Sequence, residues 1–272
     1  MDGHPVFGGG IFFDYPTSEH RSPVTSPRSC VDALFPEGFE SFVLKVLDPD
    51  WPAEPFPDVD AALDEPNGLL AAGGCLSVER LLSAYRDGIF PWYSEGEPIL
   101  WWSPSPRWIL PPSGIKISRS LRQRIRKGDF LVTHNQAFDA VIAACAEPRS
   151  GQDGTWITQD IQDAYVQLHR EGHAHSFECW RGSELVGGLY GVAIGQCFFG
   201  ESMFRREADA SKVAFVGACQ KLDAWGYELI DCQVHTSHLE SLGARPITRK
   251  DFQAEIRKYC TRTPLEGAWG RL

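Results

Sequence analysis

Two short segments constrain this chain more than anything else in it: Cys197-Phe-Phe-Gly-Glu-Ser-Met-Phe204 and Leu229-Ile-Asp-Cys-Gln-Val234. Both read as strands, and side chains alternate faces along a strand. Alternation puts Phe199, Glu201 and Met203 on one face of the first segment. It puts Asp231 and Gln233 on one face of the second, roughly 7 Å apart at Cβ from a rise of about 3.3 Å per residue. A carboxylate among aromatic and thioether neighbours is costly to bury unless a cation or a hydrogen-bond donor meets it. Glu201 therefore either pairs inside the fold or waits for a cationic ligand, such as an α-ammonium group.

The chain can build a core of that kind. It has 272 residues, 43% of them apolar, enough for one large or two modest domains. No apolar run approaches the ~20 residues that span a bilayer. The start, Met1-Asp-Gly-His-Pro5, lacks the basic and apolar regions of a secretory signal. Eight cysteines are scattered without a Cys-x-x-Cys pair, which reads as reduced thiols and a cytoplasmic location. The net charge of −10 is uneven. Residues 1–60 hold 11 acids and 3 bases, and the remainder holds 25 acids and 23 bases. The body is near neutral, so the acidic balance does not exclude a polyanionic partner.

The chain is read in three parts. Residues 1–55 form an acidic extension rich in Pro, Gly and Ser, read as a surface arm. Residues 56–105 form a small amino-terminal domain, and 106–272 a larger one. Capping and stop residues predict helices over 77–86, 118–127, 136–146, 159–171, 211–225 and 250–258. Strands are expected at 131–133, 175–181, 184–194, 197–204 and 228–234, with Gly195-Gln196 turning a hairpin. Residues 88–106, rich in Trp and Pro, read as extended. Helices mixed with antiparallel strands make an α+β protein.

Several residue groups carry possible chemistry. Lys116, Arg119, Arg122, Arg124, Arg126 and Lys127 form a basic stretch without an acid. Helical spacing puts Arg119, Arg122 and Arg126 on one face and the apolar Leu121 and Ile125 on the other. A short charge run is usually only a solvated face, but an anchored basic face also suits a phosphate backbone. Nine tryptophans offer stacking surfaces for an unpaired base, although core filling explains Trp108, Trp180 and Trp225 better. His169, His173 and His175 resemble a metal cluster only in composition, and no metal site is expected. Ser202 has no nucleophile elbow around it. Gly187-Gly-Leu-Tyr-Gly191 lacks the Lys-Ser/Thr ending of a P-loop.

The chain resembles the bacterial leucyl/phenylalanyl-tRNA–protein transferases. The resemblance rests on nine stretches in the family's order. The first three are Glu65-Pro-Asn-Gly-Leu-Leu-Ala-Ala-Gly-Gly74, Tyr85-Arg-Asp-Gly-Ile-Phe-Pro-Trp92 and Pro98-Ile-Leu-Trp-Trp-Ser-Pro104. Then come Gly154-Thr-Trp-Ile157, Gly172-His-Ala-His-Ser176, Leu185-Val-Gly-Gly-Leu-Tyr-Gly191, Phe199-Gly-Glu-Ser-Met-Phe204, Ala210-Ser-Lys212 and Ile230-Asp-Cys-Gln233. Two departures stand out: Cys75 where an Asp usually follows the paired glycines, and Arg205 where a Ser commonly follows Met-Phe. Arg205 could approach a tRNA phosphate or pair with Glu207.

The resemblance implies a GNAT-like catalytic domain with a mixed, largely antiparallel sheet behind the small amino-terminal domain. It implies transfer of Leu, and secondarily Phe or Met, from aminoacyl-tRNA to proteins whose chain begins with Arg or Lys, which marks them for degradation by the N-end rule. Glu201, Asp231 and Gln233 are the implied catalytic set. Glu201 would hold the donor's amino group, and Gln233 would meet the acceptor amine with support from Asp231. An amide has no useful basicity near neutral pH, so Gln233 orients the amine while Asp231 or the tRNA ribose carries the proton. Trp92 and Trp156 are placed beside the terminal adenosine and the aminoacyl group. Leu189, Met203, Phe215, Ala218 and Ile230 are the pocket candidates for the donor side chain, and the small Gly217 and Ala218 leave room in it. Arg119, Arg122 and Arg126 are the expected tRNA-backbone contacts. No cofactor is expected, since an aminoacyl ester is already activated. The competing enzyme reading is a GNAT acyl-CoA N-acyltransferase, disfavoured because no pyrophosphate loop is found. A tRNA-binding protein without catalysis would be expected to have lost Glu201 or Gln233.

Overall fold

The computed structural model describes residues 44–148 and 155–270. A small sheet comes first in the chain. It contains β1 (Lys45–Leu47), β2 (Leu69–Gly73), β3 (Phe90–Pro91) and β4 (Leu100–Trp102), with α1 (Val78–Arg86) inserted between β2 and β3. Its strand order is β1-β2-β4-β3, and β1 runs parallel to β2. The expected extension over 1–55 therefore overlaps the fold at its end. Lys45 also pairs with Glu54 at 2.6 Å, and the buried Arg80 donates to the carbonyls of Glu54 and Trp51. The remainder of that extension lies outside the described residues.

The larger part begins with β5 (Arg107–Leu110), α2 (Arg119–Arg126), β6 (Leu131–His134), α3 (Phe138–Ala146) and α4 (Gln159–Arg170). The long strands β7 (Ala174–Arg181), β8 (Glu184–Ile194) and β9 (Cys197–Arg205) follow. Then come α5 (Ala210–Ala224), β10 (Leu229–Gln233), α6 (Ser237–Ser241), β11 (Arg245–Ile247) and α7 (Arg249–Tyr259). Seven strands form one sheet in the order β11-β5-β10-β9-β8-β7-β6. Every neighbouring pair is antiparallel except β10 with β9, which α5 connects. This is the mixed, largely antiparallel sheet of an α+β protein, as expected.

Local chemistry explains where the helices start. Ser77, Ser118, Thr158 and Thr248 each accept a backbone N–H from the first turn that follows, which satisfies an otherwise orphaned donor. The apolar spacing of α4 buries Ile161, Tyr165 and Leu168 along one stripe. Gly195 and Gln196 turn the β8–β9 hairpin, with Ile194 opposite Cys197. Gly195 has φ +57, and an added Cβ would run into the Cys260 carbonyl, so only glycine fits that turn.

The large sheet separates two cores. Phe199 and Tyr190 share one with Tyr85 of α1, Tyr165 of α4 and the small sheet's Trp101. Phe177, Leu189 and Phe198 face the other, under Phe215 and Ala218 of α5. The first core is continuous from the small sheet into the large one.

Candidate active site

Glu201 does not sit in a regular strand. Tyr190 lies opposite Ser202 and Gly191 opposite Gly200, so Glu201 is an extra, unpaired residue in β9. A bulge of this kind re-aims side chains, and here it overturns the simple alternation. Phe199 remains on the side of Tyr85, but Met203 packs with Leu189 and Phe215 in the opposite core. Met203 and Glu201 therefore do not share a face, contrary to the sequence reading.

The Glu201 carboxylate is 1% exposed. Its Oε2 accepts from the Tyr165 hydroxyl at 3.0 Å, and the Tyr165 hydroxyl is in turn hydrogen-bonded to that of Tyr85. Oε1 accepts from Gln233 Nε2 at 2.8 Å. Burial pushes the Glu201 acid up to about 8, with the Tyr85 and Tyr165 hydroxyls holding it back, the Asp231 charge adding to the rise and Arg107 opposing it. A substantial part of this carboxyl is thus neutral at pH 7, and a cation arriving beside it would drive ionisation.

Gln233 reaches Glu201 because β10 is also irregular. Its parallel pairing with β9 ends at Asp231 opposite Phe199. Its register against β5 shifts between Asp231 and Gln233, and Gln233 adopts φ 60. That left-handed conformation is uncommon for a residue with a side chain. The Gln233 side chain then reaches across to Glu201 of β9 beyond the last pair of the two strands.

Asp231 does support Gln233, and a residue the sequence reading missed holds it in place. Its Oδ1 accepts from Arg107 Nε at 2.8 Å and its Oδ2 from Arg107 Nη2 at 2.6 Å. Oδ1 also accepts the Gln233 backbone N–H at 2.9 Å. Both charged side chains are almost wholly buried. With both oxygens engaged, Asp231 anchors the turn at Gln233.

The remaining candidates divide into groups. Leu189, Phe215, Ala218 and Ile230 do come together under α5, with Met203 packed against them. They are closed over as core in this state, each of the four at most 3% exposed. A cavity of about 410 Å³ lies nearby, lined by Val132, Val216, Gly217, Lys221 and Trp225 among others. It includes none of the five pocket candidates, and Gly217 faces Val132 on this side. Trp92 and Trp156 both pack, half-buried, against the core that holds Tyr85 and Tyr165. Trp101 and Trp102 are buried, with their indole N–H groups on the carbonyls of Gly73 and Trp92.

On α2, Arg119, Arg122 and Arg126 are exposed while Leu121 is buried. Among the described residues none of the three forms an ion pair. Arg124 departs from the basic face. Both of its contacts to the Asp129 carboxylate are 2.7 Å, and this hydrogen bonding holds the Asp129 acid well below its usual range. Arg205 is exposed and does not pair with Glu207, which is taken by Arg181 at 2.6 Å. His175 is stacked on Trp269 at 3.8 Å, and burial depresses its imidazole to about 3. Among the described residues no group of three His, Cys, Asp or Glu side chains could hold a metal ion.

Sequence reasoning missed Arg107 and Tyr165 and gave Tyr85 only as part of a family stretch. Arg107 and Asp231 are 124 residues apart, and nothing local to either predicts the pairing.

Two family models match the chain. One, described as leucyl/phenylalanyl-tRNA protein transferase, matches residues 109–257. The other, the amino-terminal domain of the same family, matches residues 74–105. Leucyl/phenylalanyl-tRNA–protein transferases are 56% identical in Methylococcus capsulatus over 84% of this chain and 97% of the relative. The Stutzerimonas stutzeri protein is 58% identical over 79% of this chain and 94% of its own length. The one from Chromobacterium violaceum is 54% identical over 80% and 94%. A GCN5-related N-acetyltransferase from Kribbella flavida superposes over 61% of this chain and 60% of that one, at 11% identity and TM-score 0.34. That likeness is too loose to bear on the fold.

Proposed function

The chain belongs to the leucyl/phenylalanyl-tRNA–protein transferase family, and from that premise we propose that it transfers leucine, and secondarily phenylalanine or methionine, from tRNA to an amino-terminal Arg or Lys of an acceptor protein. The observation that supports this best is the buried Glu201 carboxyl held by Gln233 just beyond the last pair of β9 and β10.

The chemistry follows from those groups. The donor's α-ammonium group meets Glu201 and drives it to the carboxylate, so that a buried ion pair fixes the aminoacyl end. We assign the donor side chain to the cluster of Leu189, Met203, Phe215, Ala218 and Ile230, which lies in the core on the other side of the sheet and must open toward Glu201 to admit it. Apolar lining selects weakly, since one methylene is worth about 1–3 kcal/mol. Gln233 donates through Nε2 to Glu201, which leaves its carbonyl oxygen to accept from the acceptor's neutral amine. The amine nitrogen attacks the ester carbonyl, a C–N bond forms, and the ester C–O bond to the tRNA breaks. The amine's surplus proton goes to the departing ribose oxygen, since Asp231 is committed to Arg107. Holding both substrates in line supplies much of the acceleration.

We further assign the terminal adenosine to Trp92 and Trp156, and the tRNA backbone to Arg119, Arg122 and Arg126. The boundary at residues 105/106 lies between β4 of the small sheet and β5 of the large one, which supports a division into an amino-terminal and a transferase domain. A cytoplasmic location and N-end-rule tagging follow the same reading.

Radiolabelled leucyl-tRNA incubated with a peptide beginning with Arg, beside one beginning with Asp or Glu, tests the proposal. Label should pass to the first peptide. Transfer only to the acidic peptide would refute the acceptor assignment. No transfer to either, with acetyl-CoA consumed instead, would replace the reading with an acyl-CoA transferase.

A further inference from the structure

Arg107 is fully buried and lies outside every motif that marks the family. Its guanidinium sits between two aromatic rings, 4.8 Å from the centroid of Phe90 and 4.7 Å from that of Phe252. Phe90 belongs to the small sheet and Phe252 to the last helix. Nε and Nη2 hold the two oxygens of Asp231, while Nη1 is buried with no partner among the described residues. Burying a charge with a donor left over is unfavourable. An apolar pair of similar volume would pack the same space without that cost. What the charge holds in place must therefore be of use.

It holds the turn at Gln233. Asp231 Oδ1 is the acceptor for the Gln233 N–H, and Gln233 stands at φ 60. Freed from that acceptor, a residue with a side chain relaxes toward extended backbone. Its side chain then swings away from the direction it takes in the bulge, and the contact with Glu201 is lost. We propose that Arg107 is a positioning residue for aminoacyl transfer: by fixing both oxygens of Asp231 it keeps Gln233 in the left-handed turn that aims its amide at Glu201. This inference rests on the transferase reading above.

Arg107→Lys tests it. Lysine keeps the buried charge but cannot grip both oxygens at once. We expect kcat to fall about 10²-fold, the effect of a small misplacement at a reacting centre. The KM for leucyl-tRNA should stay within about threefold of wild type, and the melting curve should remain cooperative. A purely structural role would instead make the loss follow stability. The double variant Arg107→Met with Asp231→Asn removes both buried charges and guards against a failure of the lysine variant to fold. A folded variant of either kind with kcat within about threefold of wild type would overturn the proposal. Failure of the wild-type protein itself to transfer leucine would overturn the transferase reading instead, so the two outcomes are separable.

Discussion

Replacing Glu201 with glutamine gives the sharpest test of the site, because it should change stability and activity in opposite directions. The folded protein raises this acid from 4.5 to about 8. Below pH 4.5 both the folded and unfolded forms carry the proton, and the site costs the fold nothing. Between those two values the unfolded chain ionises while the folded chain does not, so wild-type stability declines as pH rises. Above about pH 8 the cost is complete. At about 1.4 kcal/mol per pH unit, the gap between the two values in this structure sets a ceiling of about 5 kcal/mol. Relaxation and water entry lower it, and we expect about 3 kcal/mol. A glutamine avoids the titration. It can accept from Gln233 and donate to the Tyr165 hydroxyl, the two groups that meet Glu201 now. Urea unfolding of Glu201→Gln and wild type at pH 5 and pH 8.5 should show similar midpoints at the lower pH and a clearly higher midpoint for the variant at the upper. Transfer of leucine should fall about 10²-fold or more, because the variant has no anion for the donor's ammonium group. Equal stability differences at the two pH values would refute the account of a strained, buried acid.

Three further outcomes follow. Tyr165→Phe removes a hydrogen bond that stabilises the Glu201 carboxylate, so the acid should rise further and the alkaline shift should show in the pH profile of kcat/KM. An unmoved profile would count against the contact. Replacing Arg119, Arg122 and Arg126 with Ala should weaken tRNA binding and flatten its salt slope by about 2–3, as read in filter-binding titrations; an unchanged slope would remove α2 from the interface. Trp92→Ala and Trp156→Ala should each raise the KM for leucyl-tRNA by an amount equal to about 1–3 kcal/mol of stacking, with kcat the less affected; no change would return both rings to a structural role.

Much of the helical framework was legible. Helices betray their starts through Ser77, Ser118, Thr158 and Thr248, each a local decision of the backbone. The β8–β9 hairpin follows from Gly195. The small sheet was not legible as strands. Its members are two to five residues long and sit among Trp, Pro and Gly, too short to establish a period. The site itself was half legible. Residue type singled out Glu201, Asp231 and Gln233, and the chain does bring them together. Their directions were not readable, because a bulge exists only relative to a neighbouring strand. The slip beside Glu201 is what moved Met203 to the opposite core. The grip on Asp231 was hidden for a related reason: its partner Arg107 lies 124 residues away and outside every family stretch.

The aromatic sandwich around Arg107 ties the two sheets' surroundings to one side chain. One ring comes from the small sheet and the other, Phe252, from α7. A change that loosens either ring therefore reaches the turn at Gln233 through the same guanidinium.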